Sequence, residues 1–337
     1  MADRLRVLGV GAGYFAQFHY DSWKRLDRAE LAGVCDLDLG KAEAVGGAPA
    51  FADFDEALER TAPDVVDLIT PPATRLGLAR RVAERGLPMI LQKPLADHLA
   101  GAQAIAEAVE AAGVRALVHE NFRFQPWYRE ARRLLDAGLL GAPQSILFRL
   151  RPGDGRGPDA YLARQPYFQK MPRFLVHETG IHFIDTFRFL MGEVGEAFAD
   201  LRRLNPAIAG EDAGIVLFRF RDGGRGVFDG NRLTEFEAAN PRLTMGELWL
   251  DGSEARLRLT GDGALWLKPN GQAERRHGYA WDDRGFGGDC VHAFQAHALA
   301  HFLDGAPAET SVRDYLRNVE IEEAVYRSAD EGRWVAV

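Results

Sequence analysis

Leu5-Arg6-Val7-Leu8-Gly9-Val10-Gly11-Ala12-Gly13-Tyr14-Phe15-Ala16 decides how this chain is read. The first half is a short apolar run suited to a buried strand. The second half, Gly11-x-Gly13-x-x-Ala16, is a glycine turn that opens a helix. Gly11 permits the tight reversal, Gly13 lets backbone approach a pyrophosphate, and Ala16 allows the helix close to the strand. Ala12, Tyr14 and Phe15 complete the loop, and the N–H groups of the helix start are suited to phosphate. Such a turn also occurs in chains that bind no nucleotide, so its context matters. Asp36 follows the next apolar run, and 36 − 16 = 20 is the spacing of a ribose-binding carboxylate. A carboxylate there accepts from ribose hydroxyls and repels a 2′-phosphate. Leu37-Asp38-Leu39 brings no arginine, so NAD is expected in preference to NADP.

Outward from this turn, short apolar runs alternate with helical patterns as far as residue 121. Strands are expected at Leu31–Cys35, Val65–Ile69, Met89–Leu91 and Arg115–His119. Helices are expected at Tyr14–Leu26, from Asp38, at Phe54–Arg60, at Arg75–Arg85, and from an Asp97 cap to Gly113. That alternation is a parallel sheet of βαβ units. After Asn121 the pattern changes. A helix at Trp127–Ala137, a strand at Ser145–Leu150, an irregular stretch over 151–172 and a helix at Phe174–Met191 lead into many short strands. Their turns are signalled by Asp222-Gly223-Gly224, Asp251-Gly252 and Asp262-Gly263. Two helices close the chain. The expected architecture is α/β: a Rossmann domain over 1–121, then an α+β domain over 122–337 on a large, mostly antiparallel sheet. The C-terminal helix is expected to pack back toward the Rossmann domain.

Two segments carry candidate chemistry. Gln92-Lys93-Pro94 ends a strand of the parallel sheet, and ligands of such sheets bind beyond the carboxyl ends of the strands. Glu178-Thr179-Gly180-Ile181-His182-Phe183-Ile184-Asp185 places two carboxylates and an imidazole within roughly 60° on one helix face. Histidine is the usual proton carrier near neutral pH. The same helix also fits a buried histidine satisfied by an aspartate, and its sequence does not separate the two.

Together these segments resemble the glucose-fructose oxidoreductase / inositol dehydrogenase (Gfo/Idh/MocA) family. The resemblance extends through His19, Thr70-Pro71-Pro72, Lys93-Pro94, Asn121-Phe122-Arg123-Phe124, the 178–185 helix and Glu323-Ala324-Val325-Tyr326-Arg327-Ser328. It implies that Lys93 and His182 are catalytic, and that Glu178, where an aspartate is usual, joins them by orienting or charge-balancing the pair. It implies that Thr70, Pro71, Gln92 and Lys93 line the nicotinamide side of the cofactor. Asn121 and Arg123 would lie where cofactor and substrate meet. The implied reaction is reversible oxidation of a carbinol in a sugar, a sugar derivative or a cyclic polyol, an apiose-like aldose among them. The alternatives are a same-fold reductase of another small carbonyl or diol using NADP or tightly held NAD, and a non-catalytic NAD-binding sensor. Three departures stand out: Gln92 replaces the usual glutamate before the lysine, Arg75 stands where histidine is frequent, and Glu178 is longer than aspartate. Arg164, in the loop before the catalytic helix with Tyr161, Gln165 and Tyr167, is a candidate substrate contact.

The remaining expectations come from composition. Lys and Arg number 41 against 49 Asp and Glu, and no basic stripe marks a nucleic-acid partner. Cys35 and Cys290 have no spaced partners, so neither a metal site nor a disulfide framework is expected, in keeping with a cytoplasmic enzyme. The N-terminal Arg4 and Arg6 before an apolar run could suggest a secretion signal, but the glycine spacing accounts for the run better. No apolar stretch reaches membrane-spanning length. Finally, Leu248 and Leu250 flank Trp249, and Leu265 and Leu267 flank Trp266. With the leucines inward, both tryptophans lie on the outer sheet face. Such a face predicts a homodimer, or a tetramer of dimers, formed through the C-terminal sheet.

Overall fold

The computed structural model describes residues 4–337. These divide into two compact units, residues 4–121 with 291–319 and residues 122–290 with 320–337. In the first, apolar runs form β1 (Leu5–Val10), β2 (Ala29–Cys35), β3 (Ala50–Phe51), β4 (Val65–Leu68), β5 (Met89–Gln92) and β6 (Ala116–His119). They make one parallel sheet in the order β3-β2-β1-β4-β5-β6, with the order reversing between β1 and β4. Helices α1 (Ala16–Arg25), α2 (Leu39–Val45), α3 (Phe54–Thr61), α4 (Pro72–Glu84) and α5 (Leu99–Ala112) connect them. Continuous burial of β4, β5 and β6 explains their unbroken apolar sequence, since both faces of such a sheet are covered.

Several helix starts carry side-chain caps. Asp38 accepts from Lys41 N–H and Asp53 from Glu56 N–H. Asp97 does not cap α5; His98 does, its Nδ1 accepting from Gly101 N–H at 3.0 Å. The sequence reading kept residues 291–319 with the second domain. They join the first unit because Val118 N–H bonds Thr310 O at 2.8 Å and Arg115 donates to His301 O and Phe302 O.

The second unit contains α6 (Pro126–Asp136), β7 (Pro143–Leu150), a π-helical turn (Leu175–Gly180) continuing as α7 (Ile181–Met191), and β8 (Val194–Arg202), β9 (Ala213–Phe220) and β10 (Arg225–Asn231). A short α8 (Pro241–Thr244) precedes β11 (Gly246–Gly252), β12 (Ala255–Leu259), β13 (Leu265–Pro269) and β14 (Arg275–His277). Helices α9 (Cys290–Asp304) and α10 (Val312–Glu331) and strand β15 (Val335–Ala336) end the chain, and α10 crosses the division between the units at residue 319. The nine strands lie in the order β14-β13-β12-β11-β7-β10-β9-β8-β15, antiparallel except β10 with β7. Gly252 is still paired with Pro143, so the turn anticipated at Asp251-Gly252 falls two residues later, at Ser253-Glu254.

Alternation decides the faces of this sheet. Leu248, Leu250, Leu265 and Leu267 are buried, whereas Trp249 and Trp266 are half-buried on the opposite face. Beneath the inner face, Phe183 of α7 stacks on Phe148 of β7 (3.9 Å) and Phe228 of β10 (5.4 Å), and Phe187 meets Phe218 edge-on. This aromatic layer fixes α7 on the sheet, and truncating a ring of this kind costs about 3–5 kcal/mol. Among the described residues, no helix is long and apolar enough to cross a membrane.

Candidate active site

The first unit carries the candidate nucleotide site. Gly11 sits at φ +104°, and a Cβ there would lie 2.9 Å from Ile69 O, so the turn requires glycine. A Cβ on Gly13 would meet nothing within 4 Å, which leaves open space above the loop. Helix α1 starts at Ala16 without a side-chain cap. Asp36 accepts from Ala12 N–H at 2.7 Å and from Asp38 N–H at 2.9 Å. Its carboxylate is thus held beside the glycine loop, where the spacing argument put it. Thr70 Oγ1, just past β4, is buried with no hydrogen-bond partner among the described residues. An open glycine cradle, an anchored carboxylate and an unsatisfied hydroxyl at the sheet's switch point suit a dinucleotide.

The loops after β4 and β5 are tied together by Arg75. It is 1% exposed and donates to Thr70 O, Pro94 O and Leu95 O. Burial lowers its guanidinium to about 9, which leaves it cationic at neutral pH. Arg75 thus staples the Thr70-Pro71 loop to the Lys93-Pro94 loop. Lys93 is half-buried at the end of β5, and its backbone N–H donates to Gln92 Oε1 at 2.7 Å.

The second unit supplies the titratable cluster. The helix that carries it begins as a π turn, so a uniform 100° step does not extend back to Glu178. The cause lies far away in sequence. Glu211 accepts from Phe174 N–H and Val176 N–H, and Tyr326 O–H bonds Glu211 and accepts from His177 N–H. His177 Nδ1 meets Glu322 at 2.6 Å. This explains what Glu323–Ser328 brings to the fold: Tyr326 braces the π turn. The three residues expected on one face have separate companions. His182 is 4% exposed and stacked on Phe122, ring centroids 3.7 Å apart. Asp185 takes both Nε and Nη2 of Arg123, at 2.7 and 2.6 Å. Arg123, expected near the cofactor, therefore has its guanidinium engaged by α7. Asn121, the last residue of the first unit, is buried.

Glu178 belongs to a cluster that sequence reasoning missed. Arg232, 1% exposed, donates to Thr179 Oγ1 (2.6 Å), Glu178 Oε2 (3.4 Å), Tyr161 Oη (2.8 Å) and Asp154 Oδ2 (3.1 Å). Its guanidinium also lies over Phe174 at 4.7 Å. Burial opposes the charge on Arg232, but Asp154, Tyr161 and Glu178 more than offset it and raise its pKa. Burial would likewise raise Asp154, yet Arg232 and Arg164 hold it below the ordinary carboxylate range. Arg164 reaches Asp154 at 3.3 Å. The loop over 151–172 is thereby pinned to the π turn, and Tyr161 takes φ +68°, a strained value for a side chain of its size. Arg232 carried no sequence signal because its partners lie 53–78 residues away.

The open glycine loop with its anchored Asp36, within the first unit, defines the class: a dinucleotide-binding enzyme. Residues 5–120 match the model of the Gfo/Idh/MocA oxidoreductase family described as an NAD-binding Rossmann fold. Residues 128–258 match the C-terminal domain of the same family. The chain belongs to the Gfo/Idh/MocA oxidoreductase family. It is 34% identical to a D-apiose dehydrogenase of Paraburkholderia graminis, over 97% of this chain and 88% of that protein. A D-apiose dehydrogenase of Rhizobium rhizogenes is 29% identical over 97% and 96% of the two chains. An oxidoreductase from Agrobacterium radiobacter, solved with NAD+, L-tartaric acid and magnesium, is 29% identical. It superposes with a TM-score of 0.88, covering 99% of this chain and 98% of its own.

Proposed function

We propose that the protein is an NAD-dependent dehydrogenase acting on a carbinol of a sugar, a sugar derivative or a cyclic polyol, with an apiose-like aldose the first substrate to try. The observation that carries this reading is the 34% identity to a D-apiose dehydrogenase over 97% of the chain. Gly11, Ala12, Gly13, Tyr14, Phe15, Asp36, Thr70, Pro71, Gln92 and Lys93 would hold the cofactor. When bound, it supplies the hydride acceptor that the side chains lack. His182 takes the hydroxyl proton at a ring nitrogen, and in the reverse direction returns it. The Lys93 ammonium stabilises the oxygen as it gains charge. Glu178, braced by Arg232 and Thr179, orients or charge-balances that pair and contacts the sugar, and Arg164 and Asn121 contribute further contacts. The protein works in the cytoplasm, which suits the buried thiols of Cys35 and Cys290.

The test is NADH formation across aldoses, polyols and inositols. We expect a higher kcat/KM with NAD than with NADP, and a narrower ratio in Asp36→Ala, because the carboxylate that repels a 2′-phosphate is gone. Absence of turnover with every polyhydroxylated substrate would overturn the assignment. A wild-type preference for NADP would overturn the role of Asp36.

The same reading includes a homodimer, or a tetramer of dimers, through the second sheet. Its outer face carries half-buried Leu147, Val227, Trp249 and Trp266, with Ile215 48% exposed in the single chain. Trp249→Glu should shift the light-scattering mass toward that of one chain at micromolar concentration. A wild-type enzyme that is already monomeric and active would count against this assembly.

A further inference from the structure

Behind Lys93 lies a buried chain of hydrogen bonds. Asp67 Oδ2, on β4, accepts from Trp23 Nε1 at 2.8 Å and meets His19 Nδ1 at 2.9 Å. His19 Nε2 meets the Gln92 side-chain nitrogen at 2.8 Å, and Gln92 Oε1 accepts from Lys93 N–H at 2.7 Å. His19 and Asp67 have no exposure and Gln92 has 7%.

One end of this chain dictates the placement of every proton in it. The Lys93 N–H can only donate, so the amide oxygen must face it and the amide NH2 must face His19. His19 Nε2 must then be an acceptor, and the ring proton sits on Nδ1, toward a carboxylate that can only accept. Flipping the amide would set NH2 against the Lys93 N–H. A second proton on His19 would set N–H against NH2. The other groups around the ring do not alter this order. His119 of β6 stacks on it at 4.0 Å, Phe15 meets it edge-on, and Asp67 is the carboxylate bonded to it.

We infer that Gln92 is a positioning residue: through the Asp67–His19–Gln92 relay it fixes the main chain of Lys93, and the proton order of that relay requires an amide at position 92. The inference rests on the reading of Lys93 as catalytic. A carboxylate at 92 could still accept from Lys93 N–H, but its other oxygen would face the lone pair of His19 Nε2. The imidazole would then need a second proton, or the contact would break. Size and shape are nearly unchanged, so Gln92→Glu isolates the donor.

The experiment is long-range 15N–1H spectroscopy of the histidine rings, with His19 assigned from its loss in His19→Asn, alongside kinetics of the NAD-saturated enzyme. In the wild type, His19 should show a protonated Nδ1 and an unprotonated Nε2. In Gln92→Glu it should show either two protonated nitrogens or a lost Nε2 coupling to position 92. The kcat of Gln92→Glu and of Gln92→Leu should fall tenfold or more, with the sugar KM changed less than threefold. A wild-type ring protonated at Nε2 would overturn the relay, and needs no variant to fold. Wild-type kcat in both variants would overturn the positioning role. Full turnover in Lys93→Ala would instead sink the catalytic reading of Lys93, leaving the ring spectra to judge the relay.

Discussion

His182→Ala is expected to lower turnover by about two to four orders of magnitude, the range for loss of a positioned proton acceptor. The carboxylates nearby are engaged elsewhere: Asp185 on α7 pairs with Arg123, and Glu178 in the π turn bonds Thr179 and Arg232. Stacking on Phe122 holds the ring in one plane, so its geometry is prepared before substrate arrives. NAD affinity should hardly change, because the glycine loop and Asp36 belong to the other unit. Lys93→Ala should cost a similar factor in kcat, through lost stabilisation of the developing oxyanion. The measurements are kcat from NADH absorbance and the NAD dissociation constant from fluorescence titration. Full turnover in purified His182→Ala would remove it from the mechanism. A loss of activity matched by an equal loss of NAD affinity would make the residue structural.

The parts of this molecule legible in the sequence are those whose partners are close along the chain. Gly11, Gly13 and Asp36 sit within one βαβ unit, so their spacing identified the cradle. The alternation of leucine and tryptophan in β11 and β13 gave the faces of the second sheet, because the strand period is local. What escaped depends on distant residues. The π turn at Leu175–Gly180 is braced by Glu211 and Tyr326, and without them Glu178 reads as part of a uniform helix. Arg232 follows β10 with no neighbour to mark it, yet it joins Asp154, Tyr161, Glu178 and Thr179. The cap of α5 failed for a smaller reason: aspartate is the commoner cap, and His98 stands one step later with a nitrogen that can accept. Residues 291–319 could not be assigned from periodicity, since a bond from Val118 to Thr310 decides where they pack.

Arg123, expected near the cofactor, also has a buried partner in α7, and that pair yields the largest stability effect. Resemblance places it where cofactor and substrate meet. In the structure its guanidinium forms a two-pronged pair with Asp185, the side chains 8% and 0% exposed, with Phe189 5.3 Å beneath. Planar arginine and carboxylate match in such a pair, and each satisfies the other's buried charge. Asp185→Ala removes the carboxylate of a buried two-pronged ion pair and should cost about 3–5 kcal/mol. For a unit of this size that is a fall in melting midpoint on the order of 10 °C. Arg123→Ala should be comparably damaging, since it removes the cation paired with a carboxylate that has no exposure. The double variant Arg123→Met with Asp185→Leu should recover most of the loss, because burying two apolar chains avoids desolvating two charges. Thermal unfolding followed by circular dichroism, with and without NAD, checks all three. If Arg123 serves chiefly to hold the cofactor, Arg123→Ala will weaken NAD binding while leaving the midpoint of the unliganded protein in place, and Asp185→Ala will not mimic it. If the pair holds the short 3-10 turn Phe122–Phe124 against α7, both single variants will lower the midpoint together, and NAD affinity will follow stability rather than lead it.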